Sequence, residues 1–139
     1  MSEAPVAGRL ADLGAGNGAI GATIAILAPD LQIDLADRAQ RAYTACELLG
    51  ARLGLRNLRA VRIDARTADP HMYDAIVFRA LARGPEAISL AARLVRPGGF
   101  IGAYHRSGDR LFTCPGAEVD VLGTVETLTQ GLSLTGCRS

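Results

Sequence analysis

Tryptophan and lysine are both absent from this 139-residue chain, and aromatic residues of all kinds make up only 4% of it. Without large rings the core must be built from aliphatic side chains. Without lysine no side-chain amine is at hand for Schiff-base or general-base chemistry. Net charge is scarce too: fifteen basic residues, all arginine, face fourteen acids, for a balance of +1. That balance argues against a uniformly basic nucleic-acid binder and leaves room for a local patch. Three cysteines, Cys46, Cys114 and Cys137, are too few and too widely spaced for a disulfide framework or a zinc site. His71 and His105 lack partners at the spacing of a metal centre or a nucleophilic triad. No apolar run is long enough to cross a bilayer, and the first residues carry no basic export segment. A soluble, cytoplasmic protein is the expectation.

What is present is a globular composition, 49% apolar and 21% charged, over a length suited to one domain, residues 1–139. Strand and helix alternate along it. Arg9–Leu13, Gln32–Ala36, Leu58–Ile63, Ala75–Phe78 and Phe100–Tyr104 read as strands. Ala19–Leu27, Ala39–Leu53 and Pro85–Leu94 read as helices. In the first helix Ile20, Ile24 and Leu27 share a face, with Gly21, Ala22 and Ala25 permitting close approach to a sheet. In the second, Ala42, Cys46, Leu49 and Leu53 form the apolar stripe, and Gly54 suits the C-terminal cap. Arg96-Pro97-Gly98-Gly99 reads as a turn. Val119–Leu122, Thr124–Leu128 and Leu132–Thr135 suggest one or two terminal strands. Repeated βα units predict an α/β fold: a three-layer, Rossmann-like sheet, mostly parallel, with an antiparallel strand at the C-terminal end.

Ligands in such sheets bind beyond the carboxyl ends of the strands, so the residues following each strand matter most. The first of these segments is Asp12-Leu13-Gly14-Ala15-Gly16-Asn17-Gly18. Alternating glycines let the backbone approach a ligand closely, and Asp12 adds a negative charge that suits a cationic or amine-bearing ligand better than a pyrophosphate. Asp37 ends the second strand 21 residues after Gly16, the spacing at which a carboxylate meets ribose hydroxyls. It also suits an N-cap for the following helix. Asp64 after the third strand can accept from an adenine amino group or sit in a solvated turn. Arg79 after the fourth strand can position a substrate or pair with Asp74 or Asp64. Arg52, Arg56, Arg59 and Arg62, with Arg106 and Arg110, are candidates for phosphate contact or for a solvated face. A hydride-transferring dehydrogenase shares this layout. The charge of Asp12, the loop's glycine spacing and the lack of room for a substrate domain disfavour it.

These residues resemble the bacterial small-subunit ribosomal RNA guanine-N7 methyltransferases, the RsmG/GidB family of class I enzymes using S-adenosyl-L-methionine (AdoMet). The resemblance runs from Leu10 to His105. It rests on Asp12–Gly21, on Ile24-Ala25-Ile26 with Pro29, on Asp37 and Arg41, and on Leu53-Gly54-Leu55-Arg56-Asn57-Leu58. Tyr73-Asp74 with Arg79-Ala80, and Gly98-Gly99, complete it. Five features depart from the family: about nine residues precede the first strand, and Ile20 replaces a common proline. An Arg-Ala-Glu segment reads Asp64-Ala65-Arg66, His105 stands for a basic residue after the fifth strand, and the next helix is reduced to Ser107–Gly116.

The resemblance implies a reduced class I methyltransferase fold, AdoMet as cofactor with S-adenosyl-L-homocysteine as product, and methyl transfer to guanine N7 of small-subunit rRNA. It implies a cofactor site of Asp12, Gly14, Ala15, Gly16, Gly18, Asp37, Arg38, Asp64, Ala65 and Arg79. The glycine loop takes the methionine end, Asp37 the ribose and Asp64-Ala65 the adenine. Arg79 serves as the catalytic residue that positions substrate, and no metal is needed. The alternatives are a non-catalytic AdoMet-binding module acting with a partner, and a small-molecule methyltransferase. A homodimer or a partner protein covering the cleft is compatible with each.

Overall fold

The structure, a computed structural model, describes residues 8–80, 84–105, 119–126 and 131–137. The expected helix at Ser107–Gly116 with Cys114, the candidate phosphate contacts Arg106 and Arg110, and Thr127 and Leu128 of an expected strand lie outside them. The chain divides between Ala68 and Asp69 into two compact units.

The first unit is built from β1 (Gly8–Leu13), α1 (Ala19–Leu27), β2 (Leu31–Asp37), α2 (Gln40–Leu53) and β3 (Leu58–Arg62). β2 runs between β1 and β3 and is parallel to both. Ile33, Asp34, Leu35 and Ala36 are buried in succession, as in a strand covered on both faces. Only Asp34 interrupts that apolar run.

The helices depart from the sequence expectation at their C-terminal leucines. In α1 the buried residues are Gly21, Ala22 and Ala25, whereas Leu27 is 78% exposed. Small side chains bring the helix backbone onto the sheet, Ile20 and Ile24 are half-buried, and Ile26 and Leu27 turn outward. A Cβ on Gly21 would collide with Leu35 Cδ2 and stand 3.0 Å from Asp12 Cβ. In α2 only Cys46 is buried, and Leu53 at the end of the expected stripe is 39% exposed. Gly54 caps α2 in the left-handed region (φ 62°), its N–H donating to the Gly50 carbonyl, as glycine permits there.

The second unit comprises β4 (Tyr73–Ala80), α3 (Gly84–Leu94), β5 (Val95–His105), β6 (Val119–Glu126) and β7 (Gly131–Cys137). β4 and β5 are parallel, and β7 lies antiparallel between β5 and β6. α3 buries Ile88, Ala91 and Leu94 at helical spacing.

The largest departures from the sequence reading of the strands are in β4 and β5. β4 reaches Ala80 because its ladder with β5 continues to the Ala80–His105 pair. The expected turn at Arg96–Gly99 is an irregularity at the start of β5, where the register passes from Tyr73↔Val95 to Ala75↔Phe100. Gly98 has φ 80°, and a Cβ on Gly99 would meet the Asp74 carbonyl at 2.5 Å, so both glycines serve this bulge. β6 takes in the first expected terminal segment and the second as far as Glu126, and β7 contains the third.

Candidate functional site

The segment after β1 folds back on the end of β2. The Gly14 and Ala15 N–H groups both donate to the Ala36 carbonyl, at 2.8 and 3.1 Å. Gly18 donates to Ala15 at 2.9 Å and is the N-cap of α1. Gly14, Gly16 and Gly18 all adopt positive φ, at 68°, 58° and 81°. A residue with a Cβ is strained there, which is why the turn alternates glycine with other residues.

The same glycines divide by what surrounds them. A Cβ on Gly18 would meet Leu35 Cδ1 at 2.9 Å and Leu49 Cδ2 at 3.0 Å. Gly18 therefore packs the loop against its own unit. A Cβ on Gly14 or Gly16 would meet nothing within 4 Å. Their outer side is open backbone.

Two carboxylates fix this loop. Asp12 is 3% exposed, and its Oδ2 accepts the Gly21 N–H at 2.9 Å, tying the end of β1 to the first turn of α1. Asp37 is half-buried; its Oδ2 accepts the Gly16 N–H at 3.2 Å and its Oδ1 the Ala39 N–H at 2.9 Å. The residues set 21 apart in the sequence are thus joined directly. Asp37 is not the N-cap expected as its other role: Ala39 takes that position, and Asp37, two residues earlier, accepts the Ala39 N–H in the turn that leads into α2. Cys46 closes the loop from beneath, its Sγ donating to the Gly16 carbonyl at 3.4 Å. Burial pushes the Cys46 thiol up to about 11, and the charges of Asp12 and then Asp37 add to the shift. A thiol so raised is a packing group rather than a nucleophile.

Beyond the ends of β2 and β3 lies a cleft of about 520 Å³, lined by Arg38, Ala39, Arg62, Ile63 and Asp64. Asp64 is half-buried, its Oδ1 accepting the Arg66 N–H at 3.0 Å, and its carbonyl accepts from Thr67 and Ala68. Ala65 points into the core at 9% exposure.

The sequence profile of rRNA small subunit methyltransferase G (GidB) matches residues 2–112, more than half of the chain. The chain belongs to that family. It is 40% identical to the ribosomal RNA small subunit methyltransferase G of Treponema pallidum (strain Nichols) over 101 residues, 68% of this chain and 45% of the relative. It is 38% identical over 100 residues to the enzyme of the same name from Burkholderia lata, covering 68% and 44%. The chain therefore spans less than half the length of the curated relatives it matches. Among solved structures it is similar to P. horikoshii TYW2 in complex with MeSAdo, with a TM-score of 0.79 at 16% identity, covering 99% of this chain and 60% of that one. This likeness gives the fold, the Rossmann-like methyltransferase fold expected from the alternating elements.

Of the residues implied by the GidB resemblance, the first unit brings Asp12, Gly14, Ala15, Gly16, Gly18 and Asp37 into one loop, and Arg38 and Asp64 into the cleft beside it. Arg79 stands near the carboxyl end of β4 in the second unit, exposed. Asp74 of the same strand holds Arg96, with Nε to Oδ1 at 2.5 Å. His105 ends β5, opposite Gly131 of β7. Among the described residues no cluster of His, Cys, Asp and Glu is arranged to hold a metal. None of their helices is long and apolar enough to cross a membrane.

Three roles escaped the sequence. Asp34 in β2 is wholly buried and binds Arg9 of β1 at 3.1 Å and Arg59 of β3 at 2.7 Å. Arg59, a candidate phosphate contact, is thus committed within the sheet. Asn57 donates its Nδ2 to the carbonyls of Ala25, Ala28 and Leu31, at 3.0, 3.3 and 3.0 Å, stitching the end of α1 to the start of β2. Arg62 donates its Nε to the Arg38 carbonyl at 3.1 Å. A buried acid flanked across neighbouring strands by arginines is recognisable only once the register is known: Arg59 pairs directly with Asp34, while Arg9 is displaced by two positions.

Proposed function

We propose that this chain binds AdoMet in the Asp12–Gly18 loop and transfers its methyl group to small-subunit rRNA, with guanine N7 as the acceptor, in the cytoplasm. The observation that carries the reading is the Gly16–Asp37 hydrogen bond beside two open glycines. A carboxylate at the end of β2 keeps lone pairs for a ribose diol after accepting two backbone N–H groups. Open backbone at Gly14 and Gly16 admits a bulky ligand where a Cβ would stand in the way. Asp12, buried and bonded to α1, acts by holding the loop's shape and by its charge. Asp64 is the acceptor for the adenine amino group, and Arg79 positions the substrate.

When bound, AdoMet supplies an electrophilic methyl on a sulfonium. Guanine N7 presents a lone pair and no proton, so the chain's task is alignment rather than proton removal.

Incubating the chain with methyl-labelled AdoMet, small-subunit rRNA and a metabolite panel tests this. Labelled N7-methylguanine in the RNA is expected. Label in a metabolite would make it a small-molecule methyltransferase, and binding without transfer would make it a module serving a partner.

A further inference from the structure

The arginines of the first unit fall into two groups. Arg9 and Arg59 are bound to the buried Asp34. Arg38 and Arg62 are exposed, and no carboxylate among the described residues forms an ion pair with either. Both line the cleft beside the glycine loop.

Arg62 is also oriented. Its Nε donates to the Arg38 carbonyl at 3.1 Å, which restrains the guanidinium plane and leaves the two terminal nitrogens as donors. Ala39, between them in the cleft lining, is the N-cap of the 14-residue α2, which has no side-chain cap bond and no acid in its first turn. The positive end of that helix adds to the two guanidinium charges. Nearby carboxylates temper the field: Asp37 accepts the Ala39 N–H and Asp64 lines the cleft. The lining itself still carries two cations against one anion. Planar forks restrained by backbone suit phosphate oxygens better than a neutral ring.

We propose that Arg38 and Arg62 form a phosphate clamp at the rim of this cleft, gripping the RNA backbone beside the bound nucleoside. The clamp rests on the rRNA methyltransferase reading above, and it takes Arg38 out of the cofactor set and places it in the substrate set. Arg52 and Arg56 provide the contrast. Arg52 is twelve residues beyond Gln40 along α2, about 18 Å of helix rise from the cleft end.

The test measures binding of a small-subunit rRNA transcript by fluorescence anisotropy across a salt series, alongside AdoMet affinity by calorimetry. It uses the full chain, Arg38→Gln/Arg62→Gln and the charge-matched Arg52→Gln/Arg56→Gln. Loss of two phosphate contacts predicts roughly tenfold weaker RNA binding and a salt slope shallower by about 1.4, for single-stranded contacts. The control is expected to change less than twofold, melting temperature holds in both variants, and any change in AdoMet affinity in Arg38→Gln/Arg62→Gln is smaller than the loss of RNA binding. Equal weakening by both pairs, or RNA binding unchanged in Arg38→Gln/Arg62→Gln, overturns the clamp. So does a loss of AdoMet affinity in that variant as large as its loss of RNA binding, which returns Arg38 to the cofactor site. Binding of adenosine 2′-phosphate that is lost in the variant while RNA binding holds would assign the clamp to a phosphorylated nucleoside instead. Failure of the unaltered chain to bind or methylate rRNA overturns the parent reading, a result separate from all of these.

Discussion

Two acidic centres in the first unit are satisfied in opposite ways. At the strand ends, Asp12 and Asp37 accept backbone N–H groups of Gly21, Gly16 and Ala39. Inside the sheet, Asp34 accepts from the side chains of Arg9 and Arg59. A carboxylate bonded to backbone fixes a loop's shape. A carboxylate bonded to arginines on the two flanking strands pins three strands together. The first arrangement leaves open glycine beside it and is suited to a ligand; the second consumes its charges within the fold. The arginines at Asp34 are half exposed, at 41% and 54%, so solvent screens the cations while the anion has no water of its own.

The sharpest way to separate the two centres is to strip each in turn. Replacing Arg9 and Arg59 together by alanine leaves Asp34 buried without its cations, and the expected loss is about 3 kcal/mol of stability, near the low end for a broken buried pair. Denaturant melts should show this, with Asp34→Asn costing roughly 1 kcal/mol because it leaves no buried charge. Equal losses from the two would mean that the arginines act by packing alone.

The next contrast lies within the glycine loop. Gly21→Ala drives a methyl into Leu35 and is expected to cost about 1–3 kcal/mol by overpacking. Gly16→Ala meets nothing within 4 Å and carries only the left-handed backbone strain of about 1–2 kcal/mol. The decisive readout is ligand binding: per folded molecule, Gly16→Ala should lose AdoMet affinity at least about tenfold if the methyl blocks the ligand's approach. Unchanged affinity in calorimetry would mean that the open side of the loop is not the cofactor side.

Asp37 tests both halves of its environment. Asp37→Ala is expected to weaken AdoMet roughly tenfold or more, about 1.4 kcal/mol, through loss of the ribose acceptor. A smaller loss of stability, about 1 kcal/mol, should follow from the freed Gly16 and Ala39 N–H groups. Undiminished binding would remove Asp37 from the cofactor site and leave it as a helix-start residue.

The smallest expected effect concerns pH. The Cys46 thiol is raised from an ordinary 9.0 to about 11, with burial the main cause. The unfolded thiol gives up its proton first, so stability present below pH 9 should decline as pH rises from about 9 through 11. Cys46→Ala should flatten that part of the stability profile. A slope that persists unchanged in the variant would assign it to other groups.

Much of this architecture was legible because local chemistry is self-announcing. α1 was located to the residue, since Gly18 precedes a run of small and aliphatic residues and Pro29 follows it. Its close approach to the sheet was legible too, in the Gly21, Ala22 and Ala25 that are buried; the exposure of Leu27 was not, since helical spacing alone groups it with Ile20 and Ile24. The β5 boundary was misplaced because Pro97-Gly98-Gly99 has turn composition, yet the same residues make a bulge when a neighbouring strand offers a ladder.

The sequence by itself determined the order of strands and helices, the glycine loop after β1 and the acid that ends β2, because glycine conformations, helix breakers and 21-residue spacing are properties of the chain. Only the tertiary structure decided which glycines pack and which stay open, which carboxylates are internal, and which arginines are spent inside the sheet. Those are facts about neighbours. Asp34, Arg9 and Arg59 meet only when parallel strands bring together residues 25 apart, and Arg38 and Arg62 share a cleft only when the ends of β2 and β3 lie side by side.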